Sequence, residues 1–395
     1  MASGASGEQG GNGAGERAWR EFLGSLADAA KTITGPTGAA NALERAEGFR
    51  YLTRLIGAGL EMHLERADAA RPSFTRMLSP IRKFLGDNPD VLYEVVPLEG
   101  ARRYRVRGRR GSELYLAFCV YERTPEGTTA LGANLSDSQM RFEPDGSFEV
   151  ELAAERPAGA RNWLALGPRA ASMIARQYFH APASATPARL EIEAIPAAGP
   201  PEPLTEAALA ERLAAVAHFV RETSELSAAL SVFAGLNPAP RGGEPEHNAL
   251  QVVGGVVQAE RPAARELVAQ LDPKLVAGHL PTPDIAYTGA WWRIGPDEAV
   301  VAEGTPPRCR YWSLQIFNRW LESPDYRYRR VALNDSQVKL EADGSFRVVI
   351  AARDPGARNW IDTAGHEEGQ GVFRALLAEK PPVVRFRIAK LDSLR

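Results

Sequence analysis

Cysteine is scarce: Cys119 and Cys309 are the two in 395 residues. That count leaves nothing for a disulfide framework or a multi-cysteine zinc site. The six histidines, His63, His180, His218, His247, His279 and His366, are scattered. No two have the one-, three- or four-residue spacing that puts ligands on one face, so no metal is expected. An excess of one charge is also missing. Lys and Arg total 47 against 49 Asp and Glu, a net charge of -2, which gives no electrostatic footprint for nucleic acid or an anionic membrane. No apolar run reaches transmembrane length without charge. Residues 1–16 have neither the apolar core of a signal peptide nor an arginine-rich amphipathic pattern, and read as a disordered leader on a cytoplasmic protein. There is no Gly-x-Ser-x-Gly elbow, phosphate loop or dinucleotide fingerprint, which removes the commonest hydrolase and nucleotide-binding classes.

What the chain does have is a repeat. Leu135 to Trp163, LSDSQMRFEPDGSFEVELAAERPAGARNW, returns as Leu333 to Trp360, LNDSQVKLEADGSFRVVIAARDPGARNW. Asp137 matches Asp335, Gln139 matches Gln337, Asp145-Gly146 matches Asp343-Gly344, and Arg161-Asn162-Trp163 matches Arg358-Asn359-Trp360. Further echoes surround it: Pro89-Asp90…Tyr93 with Pro283-Asp284…Tyr287, Tyr115–Tyr121 with Tyr311–Phe317, and Arg176 with Arg374. Alternating apolar residues flank each Asp-Gly, which predicts a β-hairpin with one buried face, because glycine reaches positive φ without steric cost. The locally basic run Arg102 to Arg110 alternates with Tyr104 and Val106, and reads as the solvated face of a strand.

The expected fold is α+β, mainly β: two tandem antiparallel sandwich or barrel bodies, each preceded by helices. The first unit spans 17–195, Pro196 to Pro203 is a linker because clustered prolines continue neither ladder nor helix, and the second unit spans 204–395. In the first preface Trp19, Phe22, Leu23 and Leu26 recur at helical spacing; in the second, Leu209, Leu213, Val216 and Val220 form one apolar stripe. A helical or mixed region is expected to continue to His279.

The run Asn359-Trp360-Ile361-Asp362-Thr363-Ala364-Gly365-His366, followed by Gly371 and Phe373-Arg374, resembles the C-terminal signature of the bacterial family called domain of unknown function 1214. Tyr104 to Gly111 resembles its upstream strand. The resemblance covers most of both β-rich bodies and little of the helices, implies tandem sandwich or jelly-roll domains, and brings no settled activity with it. After Trp163 the first half runs Leu164-Ala165-Leu166-Gly167 instead, so the resemblance points to the second half for any chemical site.

The candidate catalytic residues are therefore His366 with Asp362 for acid–base work, and Arg374 or Arg358 to stabilise an anion. The competing reading is an exposed acidic loop whose histidine caps or packs. Trp292, Tyr311, Trp312 and Asn359 are the ligand-binding candidates, from an aromatic-rich stretch that either lines an apolar pocket or packs between the halves. The repeated polar residues, Arg176 and Arg374 included, read chiefly as fold-holding. Two functions stay open: a cofactor-independent enzyme acting on a small, apolar or aromatic-contacting substrate, and a noncatalytic tandem sandwich that binds a small molecule or carbohydrate or mediates association. The expected partner is a small molecule, with no nucleic acid and no membrane; a homo-oligomer stays open.

Overall fold

The computed structural model describes residues 13–36, 38–125, 129–235, 238–241, 250–253, 256–259 and 282–394. The expected leader falls outside them as far as residue 12, and from Ala14 the chain is already helical. Helices α1 (Ala14–Ala29), α2 (Lys31–Thr34) and α3 (Ala42–Gly59) come first, α3 winding on as a π-helical turn over Leu60–Glu65. The first body then adds β1 (Thr75–Arg76), β2 (Val91–Pro97), β3 (Arg103–Arg109), β4 (Tyr115–Arg123), β5 (Thr129–Ser136), β6 (Ser147–Ala153), β7 (Trp163–Ala165), β8 (Ala170–Tyr178) and β9 (Arg189–Ile195). Residues 196–205 run without regular structure to α4 (Glu206–Gly235). Most of the region expected to continue to His279 lies outside the described residues, apart from β10 (Leu250–Val253) and β11 (Val256–Ala259). The second body continues with β12 (Ile285–Arg293), β13 (Glu298–Gly304), β14 (Tyr311–Phe317), β15 (Ala332–Asn334), β16 (Phe346–Ala351), β17 (Trp360–Asp362), β18 (Glu368–Leu376) and β19 (Val384–Lys390).

Each body is a sandwich, and the sheet orders repeat. The inner sheets run β1-β2-β8-β4-β5 and β11-β10-β12-β18-β14-β15; the outer sheets run β7-β6-β3-β9 and β17-β16-β13-β19. All ladders are antiparallel except β6 with β7 and β16 with β17. The cores form where the sheets of one body face each other, Val106, Phe118, Val150 and Leu152 in the first and Trp312, Leu314, Val348 and Phe373 in the second.

The Asp-Gly turns are present, with Gly146 at φ 81 and Gly344 at φ 83. The apolar alternation before them does not make a ladder, however, because β6 and β16 take β3 and β13 as partners and leave residues 140–142 and 338–340 as extended connections. Arg103, Arg105 and Arg107 alternate with the buried Tyr104 and Val106, and pair outward with Glu149, Glu151 and Glu193. A one-sided burial pattern thus holds for β3 and β19 of the outer sheets, while β13 and β16 are also covered on their other face, where Ala299, Val349 and Ala351 pack with Leu391. It fails in β14, which is buried at every position, and in β4 from Tyr115 to Tyr121. These inner strands are covered twice, once by their own outer sheet and once by the other body or the helices.

Candidate functional site

The second faces of the inner sheets meet one another: Val91, Tyr115, Ala117 and Tyr178 pack with Ile285, Tyr311 and Leu376. The contact is reciprocal, as an isologous interface would be, although both sides belong to one chain. Tyr311 of the second body donates to Asp90 of the first at 2.7 Å, and Tyr115 of the first donates to Asp284 of the second. Asn334 adds a second bond to Asp90 and Asn134 one to Asp284, each at 3.0 Å. Around this axis Arg310 binds Asp137 at 2.6 Å and His180 binds Asp335 at 3.1 Å. The repeated Pro-Asp-x-x-Tyr echo is thus the sequence trace of an interface.

Strand register then gathers a polar cluster on this face. Arg176 lies directly opposite Tyr93 across β8 and β2, and Arg374 directly opposite Tyr287 across β18 and β12, so each pair shares one face. The guanidinium of Arg176 lies 5.9 Å from the centre of the Tyr93 ring, and that of Arg374 5.8 Å from Tyr287. Each arginine also acts electrostatically on the tyrosine of the opposite body, and both act on Tyr178. Arg176 and Arg374 are 4% and 5% exposed. Arg374 donates to Gln315 Oε1 at 2.5 Å and to the Gly86 carbonyl at 2.6 Å, both neutral acceptors; Arg176 donates to Tyr121 at 2.7 Å.

The hydroxyls of Tyr93, Tyr178 and Tyr287 have no hydrogen-bond partner among the described residues. Tyr93 and Tyr287 keep part of their surface accessible within the interface, and none of the three oxygens is sealed against protein. Burial pushes the Tyr93 phenol up to about 12 and holds Tyr178 and Tyr287 above the ordinary range too, so all three are protonated donors at neutral pH.

His366 belongs to a different cluster. On α3, the Asn41 side chain caps Glu44 N–H at 2.9 Å while Glu44 reaches back to Ala40 N–H at 2.6 Å. This box fixes the first turn, and the helical period then sets Glu44, Glu47 and Arg54 along the side facing the second body. Glu47 meets His366 Nε2 at 2.7 Å, and the other ring nitrogen meets the Thr363 carbonyl at 2.9 Å. Burial alone would depress the imidazole, but the Glu47 bond and charge overcome it and leave its pKa raised. Burial works against Glu47 in turn, and its bond to His366 holds it low. Beside them Glu322, bound to Arg54 at 2.5 Å, is pushed by burial up to about 7. Arg319 bridges Glu44 and Glu368 at 3.1 and 2.5 Å, forming with Arg293 and Trp291 part of the lining of a 350 Å³ surface cavity.

The eight residues singled out from the sequence are thereby dispersed. Asp362 accepts from Ala364 N–H and Arg329, so Glu47 rather than Asp362 orients His366. Arg374 sits between the bodies, and Arg358 is on the surface, 3.8 Å from Glu341. Trp292 and Trp312 are core residues, Trp312 stacked 5.1 Å from both Phe346 and Phe373. Asn359 holds the backbone of Lys339 and Arg347. Of the ligand candidates Tyr311 alone reaches the interface, as the donor to Asp90. Trp163 and Trp360 are half-buried clips whose Nε1 groups donate to the carbonyls of Ala153 and Ala351 at 3.0 Å.

Four non-glycine residues among those described have positive φ: Leu85 (50°), Leu321 (54°), Ala364 (57°) and Leu377 (52°). Leu85 precedes Gly86, whose N–H donates to Leu321 O; Leu377 N–H donates to Asp284 O; Ala364 lies in the His366 loop. Strain of this kind persists where surrounding structure enforces it and collects at functional sites. Here it marks the contacts of the second body with the rest of the chain. Among the described residues no group of three or more His, Cys, Asp or Glu is placed to hold a metal, and no helix is long and apolar enough to cross a membrane.

The model of the family described as protein of unknown function (DUF1214) matches residues 94–182 and 299–380. An uncharacterised Burkholderia cenocepacia protein of known structure is 34% identical, with a TM-score of 0.83 over 96% of this chain and 98% of that one. The VPA0106 protein of Vibrio parahaemolyticus is 12% identical, with a TM-score of 0.46 over 86% of this chain and 98% of that one. A comparison with curated proteins gave no match. Two matched segments, one in each of two repeated sandwiches, and a 34% identical relative aligned almost end to end place the chain in the DUF1214 family, as a tandem member.

Proposed function

We propose that this protein binds a small, anion-bearing molecule between its two bodies and does so without catalysing a reaction on it. The observation that carries the reading is the set of three partnerless phenols, Tyr93, Tyr178 and Tyr287, beside the buried Arg176 and Arg374. Each phenol keeps its hydroxyl proton free to donate, because no group among the described residues accepts it. Three at one place are explained if a bound molecule accepts from them. The aromatic walls supply apolar contact and the guanidiniums supply charge-assisted donors, the mixture that small-molecule sites use. The acid–base reading of His366 has weaker support, because Glu47 and Thr363 already engage both ring nitrogens.

The test is native against denaturing mass spectrometry of the freshly purified protein, beside the double variant Tyr93→Phe/Tyr287→Phe. The expected result is an acidic organic molecule released from the wild type and absent or much reduced in a double variant whose circular dichroism is unchanged. Equal occupancy in the two proteins would sink the reading.

A further inference from the structure

We infer that the ligand carries two acidic groups, one for each arginine–tyrosine pair, and is in its simplest form a small dicarboxylate. This rests on the binding site proposed above and concerns the chemistry of what fills it. The duplication supplies the argument. Arg176 with Tyr93 and Arg374 with Tyr287 occupy equivalent register positions in two facing sheets. The site therefore offers the same cation-and-phenol set twice, from opposite sides.

The two sets act on one another across the packed interface. Arg374 acts on Tyr93, Arg176 acts on Tyr287, and both act on Tyr178, whose ring packs 5.3 Å from that of Tyr311 in the second body. A planar guanidinium fork matches a carboxylate geometrically. Taking a guanidinium out of water costs several kcal/mol unless an anion compensates it, and Arg374 has only neutral hydrogen-bond partners, Gln315 and Gly86.

The aspartates of the interface answer this charge incompletely. Asp90 and Asp284 each give their Oδ2 to a tyrosine and an asparagine instead of an arginine. Burial outweighs the stabilising contacts of Asp90 and raises its carboxyl toward the neutral form. Two anionic groups on one ligand would complete the balance.

Isothermal titration calorimetry decides the matter with matched pairs: maleate, terephthalate and naphthalene-2,6-dicarboxylate, each against its half-amide, with phenyl phosphate as a further arm. At least one diacid should bind the wild type about tenfold more tightly than its half-amide, roughly 1.4 kcal/mol. Tyr93→Phe and Tyr287→Phe should each weaken that diacid several-fold while leaving the melting curve of the unliganded protein in place. Diacids that bind no better than their half-amides, with both weakened by the phenylalanine variants, overturn the two-acid inference and leave the site standing. Tighter binding of phenyl phosphate than of every diacid overturns it as well. Binding untouched by either variant, or no binding in the whole series, overturns the site itself.

Discussion

The segments after Trp163 and Trp360 start from the same clamp and then part. Asn162 accepts from Arg141 N–H at 2.7 Å and donates to the carbonyls of Arg141 and Glu149 at 2.9 Å; Asn359 does the same with Lys339 and Arg347 at 2.8 and 2.9 Å. Beyond the clamp, the first body sends Leu164 and Leu166 into its own core. The second sends Asp362 to Arg329 and His366 to Glu47 on α3. Residues kept in both copies hold the sandwich, while the residues that differ attach one copy to the helices. The comparison also separates two kinds of retained polar residue, because Arg176 and Arg374 are kept too and yet face the other body instead of a loop.

Breaking the asymmetric contact should have the largest effect. Removing one partner of a buried ion pair costs on the order of 3–5 kcal/mol, and Glu47→Leu strips His366 of its acceptor and Asn318 and Arg50 of theirs. Chemical denaturation should register a loss of that size; a loss under about 1 kcal/mol would show the contact to be a surface pair of the ordinary kind. The pH dependence follows from the directions. His366 has a folded pKa above its ordinary 6.5, so its contribution is complete below 6.5 and disappears as pH rises through the folded value. Glu322, raised from 4.5 to about 7, likewise loses stability as pH climbs from 4.5 through 7. Glu47 is held below 4.5, so its share is lost on the acid side. The wild-type melting temperature should therefore fall on going from weakly acidic to weakly alkaline buffer. Glu47→Leu should reduce that slope by the histidine's share, and an unchanged slope would remove His366 from the account.

The symmetric clamps should respond alike. Asn162→Ala and Asn359→Ala each leave one N–H and two carbonyls without the side chain that joined them, worth about 2–3 kcal/mol given the net value of such bonds. Matching losses in urea would confirm that these residues serve the sandwich. A much larger loss, or a loss of ligand binding, at Asn359 alone would return that residue to the functional candidates.

The repeat made the two bodies legible, because period-two alternation and turn glycines are local signals. It also contained the interface in plain form, as Asp90/Asp284, Tyr93/Tyr287 and Arg176/Arg374, but not its direction. A residue repeated in both copies faces either its own core or its twin, and sequence periodicity is the same in both cases. Glu47 was hidden for another reason. It lies 319 positions from His366, on a helix whose pattern shows only that one side is apolar. Asp362, by contrast, was near His366 in sequence and turned to Arg329 instead. Proximity along a loop carried less information than the helix packed above it.

The smallest effect gives the cleanest comparison of the two copies. Gly146 and Gly344 take φ of 81° and 83° in turns whose bonding is the same: Asp145 Oδ1 accepts from Ser147 N–H and Oγ, and Asp343 Oδ1 accepts from Ser345 N–H and Oγ. A Cβ at Gly344 would meet nothing within 4 Å, and one at Gly146 would meet Arg110 Cβ at 3.5 Å, an ordinary contact. With space equal, alanine is penalised by the left-handed backbone alone, about 1 kcal/mol at either site. The two melting curves should shift by the same small amount. A larger shift for Gly146→Ala would mean that the first turn also supports Arg110, which binds Glu113 and Asp137 and so reaches the carboxylate shared with Arg310 of the second body. The first turn would then belong to the interface as well as to the sandwich.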